Sequence, residues 1–112
     1  MGKRLGVRQW IALKLFKKLR DIRRKEHTLH TLFWECTLRC NLQCRHCGSD
    51  CRIDTTLTDM PAKDFFRVLD NEVTPNVNPN KVLVILSGGE VLVRKDLEEI
   101  GLNLYRRGYP WG

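Results

Sequence analysis

Five cysteines fall between positions 36 and 51 of a 112-residue chain, in the run E-C-T-L-R-C-N-L-Q-C-R-H-C-G-S-D-C from Glu35 to Cys51, and none lies elsewhere. So many thiols in so short a window limit what the segment can become. Their number is odd, and no secretory signal precedes them, because the N-terminal hydrophobics are interrupted by Lys14, Lys17, Lys18 and Arg20. Both facts argue against a disulfide framework. Thiols packed this closely in an intracellular chain bind a metal or a cluster and persist in a reducing compartment, so the expected location is cytoplasmic. Residues 38–57 show little periodicity and many polar side chains, as expected of a loop shaped by what it holds.

The net charge of +7 suggests nucleic acid until it is divided along the chain. Residues 1–27 carry ten Lys or Arg against Asp21 and Glu26, a local charge of +8, so the remainder carries −1. A protein built to follow phosphates spreads cations over its reading surface; here they sit on an arm outside the cysteine window, and nucleic acid becomes a secondary reading. No run of eighteen apolar residues is present to span a membrane. Met1-Gly2 invites lipidation, but Gly6 stands where that signal needs Ser or Thr.

Val7, Ile11, Leu15, Leu19 and Ile22 recur at spacings of three and four, which predicts a basic amphipathic helix over residues 7–25. The expectation is that its apolar stripe docks on the rest of the protein, with contact to a membrane surface as the competing reading. Thr28 to Thr37 reads as a strand running into the cysteine window. Thr58 or Asp59 is the expected cap of a second helix, with Pro61 in its first turn, ending before Pro75. After the turn PNVNPN, Lys81 to Leu86 is an almost unbroken apolar run, the pattern of a strand buried on both faces in a parallel sheet. Ser87-Gly88-Gly89-Glu90 follows at its C-terminal end. Asp96 to Arg107 predicts a third helix stopped by Gly108, with Gly101 as a weak point inside it.

The fold class is therefore α/β. Residues 1–27 form a basic helical arm, and residues 28–112 form about two βα units. Two strands make a poorly covered sheet, and Tyr109-Pro110-Trp111-Gly112 falls where a third would begin. The expectation is the N-terminal fragment of a partial (β/α) barrel.

Within the window, Cys40-x3-Cys44-x2-Cys47 stands out. Three thiolates on a short loop ligate three irons of a four-iron cluster and leave the fourth without a protein ligand. Structural zinc instead closes its coordination sphere with four ligands, commonly as two separated pairs. The segment resembles the signature of the radical S-adenosylmethionine (SAM) superfamily, in which CxxxCxxC follows the first strand of a partial (β/α) barrel. The preceding strand, Asn41-Leu42 after the first cysteine, and a second strand ending in Gly88-Gly89-Glu90 extend the resemblance from about Leu29 to Gly112. LFWECTLRCNLQCRHCGSDC with SGGEVLVRKDLEEIG looks like one subgroup, the radical SAM proteins of the rSAM/lipoprotein system, relatives of maturases with SPASM-type C-terminal domains.

The resemblance implies a 4Fe-4S cluster on Cys40, Cys44 and Cys47, with S-adenosyl-L-methionine on its open iron. It implies reductive cleavage to a 5'-deoxyadenosyl radical that abstracts hydrogen from a peptide or protein substrate, with a reductant protein as electron donor. His46 takes the place of the aromatic residue that lies against the adenine in the family. Gly88 and Gly89 let the backbone approach the methionine moiety, and Glu90 accepts from its ammonium group. Many members continue GGEP; Val91 replaces that proline.

Outside these positions the reading is structural. Cys36 is expected to be a small buried side chain and Cys51 a spare loop thiol. Arg94 and Arg106 are expected to be solvated, His27 and His30 to be surface or packing residues, and Trp34 and Trp111 to pack. A rival class is a zinc module in which four of the five cysteines bind the ion and the basic arm contacts nucleic acid or a protein. The second βα unit with its glycine turn speaks against it, since zinc binding does not require one.

Overall fold

A computed structural model describes residues 6–112. The first five residues of the expected arm, with Met1 and Gly2, lie outside the described residues. The element order is α1 (Val7–Glu26), β1 (Thr31–Thr37), α2 (Ala62–Val68), β2 (Leu83–Gly88) and α3 (Leu97–Arg106). The strands pair in parallel from Thr31 opposite Leu83 to Thr37 opposite Gly88, with an irregularity between Glu35 and Thr37. A parallel pair needs a crossover, and the cysteine loop with α2 supplies it.

Alternation along β1 buries Trp34 and Cys36 and leaves Phe33 and Glu35 exposed. These side chains join Phe66 and Leu69, Val82, Val84 and Leu86, then Ile100, Leu104 and Tyr109 in one core. Trp34 stacks flat on Phe65, with ring centroids 3.9 Å apart and planes 3° from parallel. Its Nε1 is buried without a hydrogen-bond partner among the described residues.

Several boundaries differ from the sequence expectation. The second strand starts two residues late because Pro79–Lys81 forms a 3₁₀ turn, closed by Val82 N–H donating to Pro79 O at 3.1 Å. It is buried on one face only: Val84 and Leu86 are inside, while Leu83 and Ile85 keep partial exposure. Neither Thr58 nor Asp59 caps α2; Pro61 occupies the cap position, and no side chain caps the helix. After Val68 the helix loosens into a π turn at Leu69–Val73 and then a 3₁₀ turn at Thr74–Asn76 that contains Pro75.

Gly101 sits inside an unbroken α3, since a Cβ there would run into the Trp111 indole. Gly108 ends that helix at φ 81°, with Gly108 N–H on Tyr105 O at 2.9 Å and Tyr109 N–H on Leu104 O at 3.1 Å. This pair of bonds is a Schellman motif. Past it, Val84 N–H donates to Pro110 O at 2.9 Å and Leu86 N–H to Gly112 O at 2.8 Å. β2 thus lies between β1 and a third segment whose Trp111 bridges Val84 in parallel.

The expected docking of α1 is not found. None of its residues is buried, and Ile11, Leu15, Leu19 and Ile22 remain 44–57% exposed. His27 caps the helix in the left-handed region at φ 44°, and among the described residues the helix meets no apolar surface that buries its stripe. No described helix is long and apolar enough to cross a membrane.

Candidate functional site

The cysteine loop and the glycine turn leave the C-terminal ends of adjacent parallel strands, the edge at which open α/β sheets bind ligands. Backbone hydrogen bonds hold the two together. Gly89 N–H donates to Thr37 O at 2.8 Å, and Glu90 N–H donates to Arg39 O at 2.9 Å. This flush contact explains both glycines. Gly88 has φ 128°, and a Cβ on it would overlap Thr37 O. A Cβ on Gly89 would overlap Arg39 O and stand 3.0 Å from the Cβ of Cys40. The glycine turn therefore rests on the first cysteine of the motif.

Cys40, Cys44 and Cys47 line one cavity of about 540 Å³, together with Asp50, Cys51 and Asp54. All four of these cysteines are free thiols. Leu42 N–H donates to Cys40 Sγ at 3.4 Å, and Cys47 Sγ–H donates to Ser49 O at 3.0 Å. Cys47 N–H donates to Cys44 O at 3.2 Å, a turn that sets the spacing of the last two thiols. Among the described residues, no three His, Cys, Asp or Glu side chains converge as donors for a single metal ion. The thiols share a cavity without meeting at one point.

The other expected site residues fall around this cavity rather than in it. His46 lies exposed in a turn and does not line the cavity. Gly88, Gly89 and Glu90 are half-buried beside it. The Glu90 carboxylate caps the following 3₁₀ turn, accepting from Leu92 N–H at 3.1 Å. Cys36 is 1% exposed and donates to Ser87 O at 3.5 Å, as its expected burial requires, and desolvation pushes its thiol up. Cys51 is not a freely solvated thiol: it is half-buried on the cavity wall, and desolvation, then the nearby Cys47 and Cys40, push its thiol up.

Arg94 overturns its expected solvation. It is buried and grips Asp96 with two bonds, Nε to Oδ1 at 2.9 Å and a terminal nitrogen to Oδ2 at 2.7 Å. Its other terminal nitrogen donates to Cys36 O and, at 3.2 Å, to Met60 O. Asp59 stands 3.9 Å away and accepts from Arg39 at 2.7 Å. One guanidinium thus ties the end of β1, the exit of the cysteine loop and the start of α3. The hydrogen bond from Arg94 holds the Asp96 carboxyl below its ordinary range. Desolvation raises Asp59, but its bond from Arg39 and the two cationic neighbours outweigh that and lower it. No periodicity announces this network, because its residues lie in loops. The only signal was an arginine two positions from an aspartate just ahead of a helix.

No family model matches the chain, and no solved structure matches it. Among curated proteins it is similar to a PqqA peptide cyclase of Granulibacter bethesdensis, 32% identical over 69 residues. That match takes in 62% of this chain and 17% of the relative, so the chain spans about a sixth of the protein it matches.

Proposed function

We propose that the chain is the cluster-binding end of a radical S-adenosylmethionine enzyme acting on a peptide or protein. The observation that carries the reading is the contact between the two loops: the glycine turn of β2 abuts Cys40, at the head of a cavity lined by Cys40, Cys44 and Cys47. The similarity to a peptide cyclase supports the class of enzyme and the class of substrate. In this reading residues 28–112 belong to a partial (β/α) barrel, residues 1–27 are an accessory arm, and a cytoplasmic reductant protein supplies electrons.

The donor set fits a 4Fe-4S cluster, with three free thiols on one loop, one for each of three irons. When bound, the cluster and S-adenosylmethionine supply the radical chemistry. The chain's own residues bind and orient. Cys40, Cys44 and Cys47 hold the irons, and Leu42 N–H already donates to sulfur, the kind of bond that stabilises a thiolate. Gly88 and Gly89 keep side chains out of the space beside Cys40. Glu90, half-buried there, would accept from the ammonium group of the cofactor, and His46 would supply the ring that lies against its adenine.

The rival zinc module draws on the four thiols around one cavity. It leaves the closely fitted glycine turn without a purpose. Anaerobic reconstitution with iron and sulfide, with zinc measured alongside, separates the two. The proposal expects about four irons and four sulfides per chain, lost in Cys40→Ala. Stoichiometric zinc without iron contradicts it.

A further inference from the structure

The proposed function uses three of the thiols around the cavity and leaves Cys51 without a task. Its position is not that of a spare thiol. Cys51 lines the same cavity as Cys40, Cys44 and Cys47, four residues beyond the last of them, so the loop repeats the Cys40 to Cys44 spacing between Cys47 and Cys51. It is half-buried, as Cys40 is, where Cys44 and Cys47 are exposed.

The segment around it has few backbone hydrogen bonds. From Cys40 to Leu57 the backbone-to-backbone hydrogen bonds outside regular elements are Cys47 to Cys44 at 3.2 Å and Thr55 to Arg52 at 3.4 Å. Cys51 itself takes part in neither, so a shift of its backbone breaks no such bond. An iron with three sulfide neighbours and no protein ligand attracts any thiolate within reach, and thiolates are the usual fourth ligand of such clusters.

We propose that Cys51 is an exchangeable fourth ligand: its thiolate holds the iron left open by Cys40, Cys44 and Cys47 while S-adenosylmethionine is absent, and yields that place to the cofactor. The inference rests on the proposed function. In the exchange one iron–sulfur bond to Cys51 breaks, the cofactor's amino nitrogen and carboxylate oxygen bind in its place, and the released thiolate takes a proton from solvent. No electron moves. The consequence is protection: without cofactor, the reactive iron is closed to water and oxygen by the chain's own side chain.

The test is alkylation of the full-length, anaerobically reconstituted chain with iodoacetamide. The cluster is kept oxidised so that cofactor binds without being cleaved, and each cysteine is followed by peptide mass spectrometry. Without cofactor, Cys40, Cys44, Cys47 and Cys51 are all expected to be protected. Saturating S-adenosylmethionine is expected to raise labelling of Cys51 on the order of tenfold, as bound thiolate becomes free thiol, and to leave the other three unchanged. Cys51→Ser is expected to retain the iron content and protection of the other three. Its reduced spectrum without cofactor should differ from that of the unmodified chain. Rapid labelling of Cys51 at one rate with and without cofactor, while the other three stay protected, overturns the inference and leaves the proposed function standing. Labelling of all four overturns both.

Discussion

At the scale of single residues, the site is held by contacts that allow no extra atoms. Gly88 combines φ 128° with an overlap between any Cβ and Thr37 O. Gly88→Ala is expected to lower stability by about 1–3 kcal/mol from backbone strain alone, with the collision added, read from the urea midpoint. Arg94 makes a second test. Lysine keeps its charge but lacks the planar fork, so Arg94→Lys leaves Met60 O or Asp96 without a donor. The expected loss is about 2–4 kcal/mol, and a midpoint shift below about 0.5 kcal/mol would show the clamp to be incidental. The cysteine spacing and the glycine turn were legible in the sequence because residue spacing and side-chain size are local properties. The burial of Arg94 was not, since it depends on carbonyls brought from Cys36 and Met60, 58 and 34 residues away.

At the scale of elements, the three acidic anchors fix the pH response. Asp96 is lowered by its bond from Arg94, and Asp70 by its bond from Arg107, whose nitrogens lie at 2.8 and 2.9 Å; Asp59 is lowered in spite of desolvation. A carboxyl whose folded pKa lies below the unfolded value of about 3.9 contributes stability that is complete above that value. The contribution is lost as pH falls through the folded pKa. The melting temperature is therefore expected to drop on acidification below about pH 4, and Asp96→Asn to flatten that limb. α1 is the opposite case. With none of its residues buried, removal of residues 1–26 is expected to change the melting temperature by less than about 4 °C, the equivalent of 1 kcal/mol. A larger drop would show that the stripe docks after all. Its periodicity was legible, but periodicity reports a helix and not what covers it. Strand positions were legible to within three residues: β1 starts at Thr31 rather than Thr28, and β2 starts late because Pro79 organises a turn that takes up Lys81.

At the scale of the whole molecule, a rigid sheet edge carries a weakly bonded loop. Arg94 and Asp59 fasten the loop's exit, β1 fastens its entry, and between them the cysteines surround a cavity without converging. Cluster incorporation is expected to slow hydrogen exchange across residues 40–57 and to leave β1 and β2 unchanged, since the free loop has few internal amide bonds. The α/β order was legible in the alternation of strand and helix signals, and the parallel pairing in the apolar run Lys81 to Leu86, although that strand is buried on one face only. The closeness of the glycine turn to Cys40 was not, because it arises from the pairing of Thr37 and Arg39 with the far strand. In the proposed function the three cysteines leave one iron open for S-adenosylmethionine. The most direct measurement is electron paramagnetic resonance of the reduced, reconstituted chain with and without that cofactor. A 4Fe-4S signal whose g values shift when the cofactor is added is expected; a cluster signal indifferent to saturating cofactor would rule out the open iron.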